Sequence, residues 1–97
     1  MRRPLLDRLV RALRAALGGF VGSIEATSRP WASVTFTGAR HTLRLTAEAD
    51  GVDEAALAAL PEHQFALPGH IVADVAINDR RAEGGPLEIE VLTIEEA

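Results

Sequence analysis

The sequence contains no cysteine, no lysine and no tyrosine, and it has few aromatic residues. Without a thiol, the chain cannot form a disulfide framework, a thiolate-ligated metal site or a cysteine nucleophile. The aromatic residues are Phe20, Trp31, Phe36 and Phe65. Four aromatic side chains are too few for a platform on which nucleic-acid bases stack. These absences exclude several classes of enzyme and argue against a nucleic-acid partner.

The composition is otherwise that of a small soluble domain. The 97 residues, of which 47% are hydrophobic and 25% charged, fit one hydrophobic core and leave no room for a second. We therefore expect residues 1–97 to form a single small domain, and we expect that domain to be cytoplasmic.

Charge is distributed unevenly along the chain. Residues 1–22 carry five arginines and one acidic residue, a net charge of +4. Residues 23–97 carry five arginines and thirteen acidic residues, a net charge of −8. Because an acidic body repels the phosphate backbone, we expect no nucleic-acid partner.

A basic amphipathic helix is predicted within residues 1–21, with its regular part over residues 4–17. Pro4 suits the first turn of a helix, and Gly18-Gly19 supplies a stop. Leucines recur at spacings of three or four residues and form one stripe that Phe20 extends. The predicted docking face of this helix consists of Leu6, Leu9, Leu13 and Leu17.

The pattern leaves open which surface this leucine stripe contacts. The stripe can pack on the sheet of its own chain, on a second chain or on an anionic membrane, where arginine-flanked leucine helices also bind. A fourth interpretation is a targeting segment. A membrane-spanning helix is excluded because Asp7, Arg8, Arg11 and Arg14 interrupt any long apolar run.

The rest of the sequence predicts strands and one further helix. Alternation of apolar and polar residues predicts strands over 31–37, 41–48, 70–78 and 87–94. The first two are expected to form a hairpin that turns at 37–40. Asp53 is a suitable N-cap for a short helix over 53–60 that Pro61 ends. The prediction is an α+β fold: an N-terminal amphipathic helix followed by ββαββ, with a four-stranded antiparallel sheet and helices on one face. The order of the strands stays open.

One residue stands out on the polar side of the predicted strands. Successive side chains of a strand point to opposite faces, and the residues that alternate with Trp31 are expected to face inward. We therefore expect Trp31 on the face of the sheet opposite the core. Strand parity places further polar and apolar side chains beside it. The predicted interaction patch consists of Trp31, Arg44, His70, Val72 and Asp74. Such a patch suits a protein partner or a second copy of the chain, since Trp and Arg are frequent anchors of interfaces. Alternatively, the N-terminal helix covers this face and makes Trp31 a core residue.

The residues that could carry catalysis or bind a metal form no convincing site. His63 and His70 stand near Glu62 and Asp74, but in an extended strand the Cα atoms of His70 and Asp74 would be about 13 Å apart. We therefore interpret the histidines as surface residues. The serines lie in no Gly-x-Ser-x-Gly context, and the glycines after the first helix are on the wrong side of it for a phosphate loop. We expect no catalytic residue, no metal and no cofactor.

The sequence therefore predicts a non-catalytic binding domain that contacts another protein or its own copy. Two alternatives remain. One is a peripheral membrane module that uses the basic N-terminal helix. The other is a small-molecule site on the sheet face that carries Thr42, Arg44, His70 and Asp74.

Overall fold

The computed structural model of the chain describes residues 4–18, 22–46 and 52–96. The chain order is α1, β1, β2, α2, β3, β4. These elements span Pro4–Ala16 (α1), Ile24–Ala32 (β1), Thr37–Leu45 (β2), Glu54–Ala59 (α2), His70–Asp79 (β3) and Leu87–Glu95 (β4). Short 3-10 turns follow α2 at Leu60–Glu62 and precede β4 at Arg81–Glu83.

The four strands form one antiparallel sheet in the order β1-β2-β4-β3. One face of this sheet carries the core, where the leucines of α1 and apolar residues around α2 pack with inward-facing residues of β2, β3 and β4. Side chains there are almost completely buried, as with Leu43 and Ile89 at 0% exposure. The predicted α+β fold with a four-stranded antiparallel sheet is confirmed.

Local sequence signals account for α2. The Asp53 carboxylate accepts hydrogen bonds from the backbone N–H groups of Ala55 and Ala56 at 3.0 and 3.1 Å, as an N-cap does. Val52, just before the cap, and Leu57, one turn into the helix, are both buried in the core. This cap and its apolar flank fix where α2 begins.

The first hairpin differs from the prediction. The structure places β1 at Ile24–Ala32 and begins β2 at Thr37, so the turn lies at 33–36 and the predicted turn at 37–40 is wrong. The Ser33 hydroxyl makes this turn, because its Oγ accepts the N–H of Phe36 at 3.0 Å. Pro30 lies inside β1, which tolerates it as an edge strand. Val34 and Phe36, which lie in this turn, are exposed at the hairpin tip.

A β-bulge changes which way part of β3 faces. Val72 pairs with Thr93, and Asp74 pairs with Leu92, so Ala73 is the extra residue. After the bulge, Val75 and Ile77 face the core. Before it, His70 and Val72 face the core side and Ile71 faces the opposite side.

Some predictions fall outside the described residues. These are the extension of the leucine stripe to Phe20, the stop at Gly19 and the strand positions 47–48. Gly18, which is described, has the left-handed φ of 77° that commonly follows a helix. None of the helices within the described ranges is long and apolar enough to span a bilayer.

Candidate functional site

The described helices leave the face of the sheet opposite the core uncovered, and we call it the open face. Strand pairing arranges its side chains in four rows across β1, β2, β4 and β3. The rows are Trp31-Gly38-Ile94-Ile71, Arg29-Arg40-Leu92-Asp74, Thr27-Thr42-Glu90-Ala76 and Glu25-Arg44-Glu88-Asn78. Apolar residues concentrate at one end and charged residues at the other.

The apolar end consists of the first row and Leu92. Ile71 is 52% exposed, while Trp31, Leu92 and Ile94 are half-buried. Phe36, on the adjacent hairpin tip, is 50% exposed. Contiguous exposed apolar surface is a feature that interaction sites share.

Trp31 presents carbon to the solvent. Its Nε1 atom is buried, and no acceptor for it exists among the described residues. Since Nε1 is the only polar atom of the indole, all the solvent-accessible surface of this side chain is apolar. The exposed part of the ring can therefore be covered by another apolar surface without loss of a hydrogen bond to water.

The charged end has an unbalanced arrangement. Arg29 and Arg40 are direct cross-strand neighbours, a like-charge pairing that destabilises a sheet unless an anionic group neutralises it. Neither guanidinium has an ion-pair partner among the described residues. By contrast, Arg44 lies 3.7 Å from the Glu88 carboxylate. Two unpaired arginines side by side make this part of the face a candidate for an acidic group from outside.

The structure separates the predicted interaction patch into two groups. Trp31, Arg44 and Asp74 lie on the open face, but His70 and Val72 lie on the core side. The prediction for those two residues is wrong because the bulge at Ala73 reverses the alternation within β3. The predicted small-molecule face is divided in the same way. Thr42, Arg44 and Asp74 are on the open face, and His70 is not.

The predicted docking face of the N-terminal helix lies in the protein interior. Leu6 is 8% exposed, and Leu9, Leu13 and Leu17 are completely buried against the sheet. The arginines Arg8 and Arg11 lie on the opposite, exposed side of α1. The apolar surface that a membrane would have to bind is therefore occupied by the core of this chain.

A buried network of side-chain hydrogen bonds lies on the core side of the sheet and is centred on His41. His41 is 1% exposed. Its Nδ1 lies 2.6 Å from the Ser28 hydroxyl, and its Nε2 lies 2.9 Å from the Thr93 hydroxyl. The Thr93 hydroxyl in turn donates to the carbonyl oxygen of Ala39 at 3.3 Å. All partners are satisfied when Ser28 donates to Nδ1 and Nε2–H donates to Thr93, which assigns the neutral Nε2–H tautomer.

This arrangement resembles a nucleophile–base pair, but its geometry and burial fit a structural role. Ser28 is within hydrogen-bond reach of an imidazole, yet the second imidazole nitrogen meets a threonine hydroxyl and no carboxylate orients it. Burial of His41 also keeps a substrate from the ring. The interpretation of the histidines as surface residues is wrong for His41, which is buried. Sequence reasoning missed its contact with Ser28 because it began the first strand at Trp31 and so left Ser28 unpaired. The sequence feature that could have indicated this buried contact is a histidine that alternates with inward-facing leucines.

Acid is expected to destabilise the fold through His41. Burial, and secondarily the charge of His70, lower the pKa of His41 below its ordinary value of 6.5. Below pH 6.5 the unfolded chain therefore binds a proton at this histidine more readily than the folded chain does. The contribution of His41 to the free energy of unfolding is complete above pH 6.5 and decreases as the pH falls below it. Asp79 contributes only at lower pH, because hydrogen bonds from Arg81 hold its pKa down to about 2.

Urea unfolding followed by circular dichroism between about pH 8 and about pH 5 checks this prediction. A His41→Gln variant should lose most of the pH dependence, whereas a His63→Gln variant, changed at an exposed histidine, should keep it. The same pH dependence in all three proteins would contradict the assignment.

A second polar cluster joins α2 to the end of β3. The Arg81 guanidinium makes paired hydrogen bonds of 2.9 Å with both carboxylate oxygens of Glu54, and it bonds Asp79 at 2.8 and 2.9 Å. These bonds lower the pKa of both carboxylates. Each charge in the cluster is already paired, so its role is to hold these elements together.

No three side chains of His, Asp or Glu come together to hold a metal ion in the described ranges 4–18, 22–46 and 52–96. Comparison with models of protein families, with curated proteins and with solved structures finds no match. Function is therefore inferred from the open face and its charges alone.

Proposed function

We propose that this chain is a protein-interaction domain and that the open face is its binding surface. The observation that carries the proposal is the apolar end of that face. There Ile71 is 52% exposed beside half-buried Trp31, Leu92 and Ile94. Covering this surface removes apolar area from water, which is the main favourable contribution to association between proteins.

The composition of the open face favours a protein over a membrane as the partner. The open face combines an apolar end with charged residues beside it, here Arg29, Arg40 and Glu90, and protein interfaces combine apolar and polar surface in this way. A membrane surface would instead require one continuous apolar side flanked by cations. The leucine stripe of α1 has that composition, but it is buried in the core.

The open face also suits a protein better than a small molecule. A small-molecule site needs a few polar groups that converge in a concave, largely apolar pocket. On this face the apolar groups lie at one end and the charged groups at the other, and they are spread over four strands. A partner must therefore be broad enough to span both.

Site-specific photo-crosslinking in the cell of origin tests the proposal. The photoreactive amino acid p-benzoylphenylalanine replaces either Ile71, on the open face, or Ala66, an exposed position in the loop between two residues that pack on the core. We expect discrete protein adducts from position 71 and none of them from position 66. Each adduct is identified by mass spectrometry and retested with purified proteins, where Ile71→Asp should weaken binding about tenfold or more.

Two results would contradict the proposal. One is the absence of any adduct at position 71 above the level at position 66. The other is an adduct whose purified partner binds the Ile71→Asp variant as well as it binds the unchanged chain.

A further inference from the structure

We infer that the open face binds a second copy of this chain, with a two-fold axis that runs parallel to the strands between β2 and β4. This inference rests on the proposed function and names its partner. It is carried by the order of residues in the four rows, which is self-complementary under that one symmetry operation.

The symmetry follows from how two sheets pack. When two open faces meet and the axis is parallel to the strands, β1 of one copy lies over β3 of the other, and β2 lies over β4. Each row then faces the same row of the second copy in reverse order. Aligned sheets keep their strands within about 30° of each other, so the strands near the axis, β2 and β4, stay matched most closely.

The first row is complementary in size. Read in reverse, it places Trp31 over Ile71 of the second copy and Gly38 over Ile94 of the second copy. The large indole meets an exposed aliphatic side chain. Each contact occurs twice, so the dimer covers the exposed Ile71 of both copies.

The charged rows are complementary in sign. In the second row, Arg29 faces Asp74 of the second copy. In the fourth row, Arg44 faces Glu88 of the second copy. The carboxylate of Asp74 supplies the anionic group that Arg29 lacks in a single chain, while Arg40 faces Leu92 of the second copy. No two like charges face each other across this interface.

An axis perpendicular to the strands, the alternative that also keeps the strands of the two sheets aligned, fails this comparison. An axis perpendicular to the strands places the first row over the fourth, so Trp31 would face Glu25 and Ile94 would face Glu88. Both contacts would bury a carboxylate against an apolar side chain, and Glu88 would gain no cation beyond Arg44 of its own chain. The order of the rows therefore selects the axis that is parallel to the strands.

The size of the face sets the expected strength of the dimer. Four strands and four rows span about 19 Å by about 27 Å, or on the order of 500 Å² per copy. Stable interfaces bury roughly 800 Å² per partner. We therefore expect reversible dimerisation with a dissociation constant on the order of 10 µM or weaker.

Charge reversal gives a test that depends on the axis. Arg29→Asp and Asp74→Arg each place like charges opposite one another twice in a homodimer. Each variant should therefore dimerise at least about tenfold more weakly than the unchanged chain. An equimolar mixture of the two variants should recover the affinity of the unchanged chain, because every facing pair in the mixed dimer unites opposite charges. Sedimentation equilibrium from about 1 µM to about 1 mM measures all three samples.

Two controls separate dimerisation from folding. Arg11→Asp makes the same charge change on the exposed side of α1 and should leave dimerisation unchanged. Ile71→Asp disrupts the first row without altering Arg29 or Asp74 and should weaken dimerisation about tenfold or more. Circular dichroism and urea unfolding confirm that each variant is folded, which we expect because Arg29, Asp74 and Ile71 are exposed.

The outcomes distinguish this inference from the proposed function. A chain that remains monomeric at about 1 mM overturns the dimer, while an adduct with a different protein from position 71 still supports the interaction domain. Dimerisation that neither reversal weakens, or that the mixture fails to restore, overturns the assigned axis. Absence of both self-association and position-71 adducts overturns both.

Discussion

Leu13→Ala is expected to destabilise the domain by about 2–5 kcal/mol, the usual loss when a buried leucine leaves a cavity. Leu13 is completely buried between α1 and the sheet. Small domains have total stabilities on the order of 5–15 kcal/mol, so this single change removes a large share. Urea unfolding followed by circular dichroism measures the loss.

Leu5→Ala is the matched control for this experiment, because Leu5 lies on the same helix and is only half-buried. We expect it to cost at least about 1 kcal/mol less than Leu13→Ala. Equal and small losses in both variants would mean that α1 contributes little to the core. In that case the leucine stripe would be free for a membrane or another chain.

Gly38→Ala is expected to cost about 1–3 kcal/mol, as overpacking does in a well-packed region. A Cβ at position 38 would collide with the carbonyl oxygen of Thr93 and would lie 3.1 Å from the Cα of Ile94. Both neighbours are backbone atoms of β4, so the strand pair itself must separate to admit a methyl group. We expect hydrogen-exchange measurements on this variant to show a loss of amide protection where Gly38 pairs with Ile94.

Gly69→Ala provides the comparison, since a Cβ there meets no atom within 4 Å. Its φ of 82° makes alanine unfavourable by roughly 1–2 kcal/mol, but that strain is confined to the turn. Hydrogen exchange along β2 and β4 should therefore remain as in the unchanged chain. If Gly38→Ala also left that exchange unchanged, the close approach of the two strands would be disproved.

The elements that the sequence predicted well are those with local signals. These signals depend only on residues that are close in the sequence. They are the leucine spacing of α1, the Asp53 N-cap of α2 and the alternation of β4. The predicted position of the first hairpin is wrong because the alternation of apolar and polar residues continues past Ala32 to Phe36. Only the hydrogen bond from the N–H of Phe36 to Ser33 Oγ shows where the chain turns.

The candidate site was predicted only in part, for a reason specific to β3. Ile71, Val72, Val75 and Ile77 are all apolar, so the sequence does not determine which of them face the core. A bulge depends on the partner strand, which no local pattern reveals. Trp31 was correctly expected on the face opposite the core, because β1 has no such irregularity. The environment of His41 was missed because it depends on pairing across three strands.

The most direct test of the two-fold interface is an NMR dilution series on the 15N-labelled chain, from about 1 mM to about 10 µM. The amides of Trp31, Gly38, Ile71 and Ile94, and the Trp31 indole N–H, should change shift with concentration and fit one dissociation constant. Amides of α1 should remain constant, because α1 lies on the other side of the sheet. Shift changes confined to α1, or no change at any residue over this range, would contradict the two-fold interface.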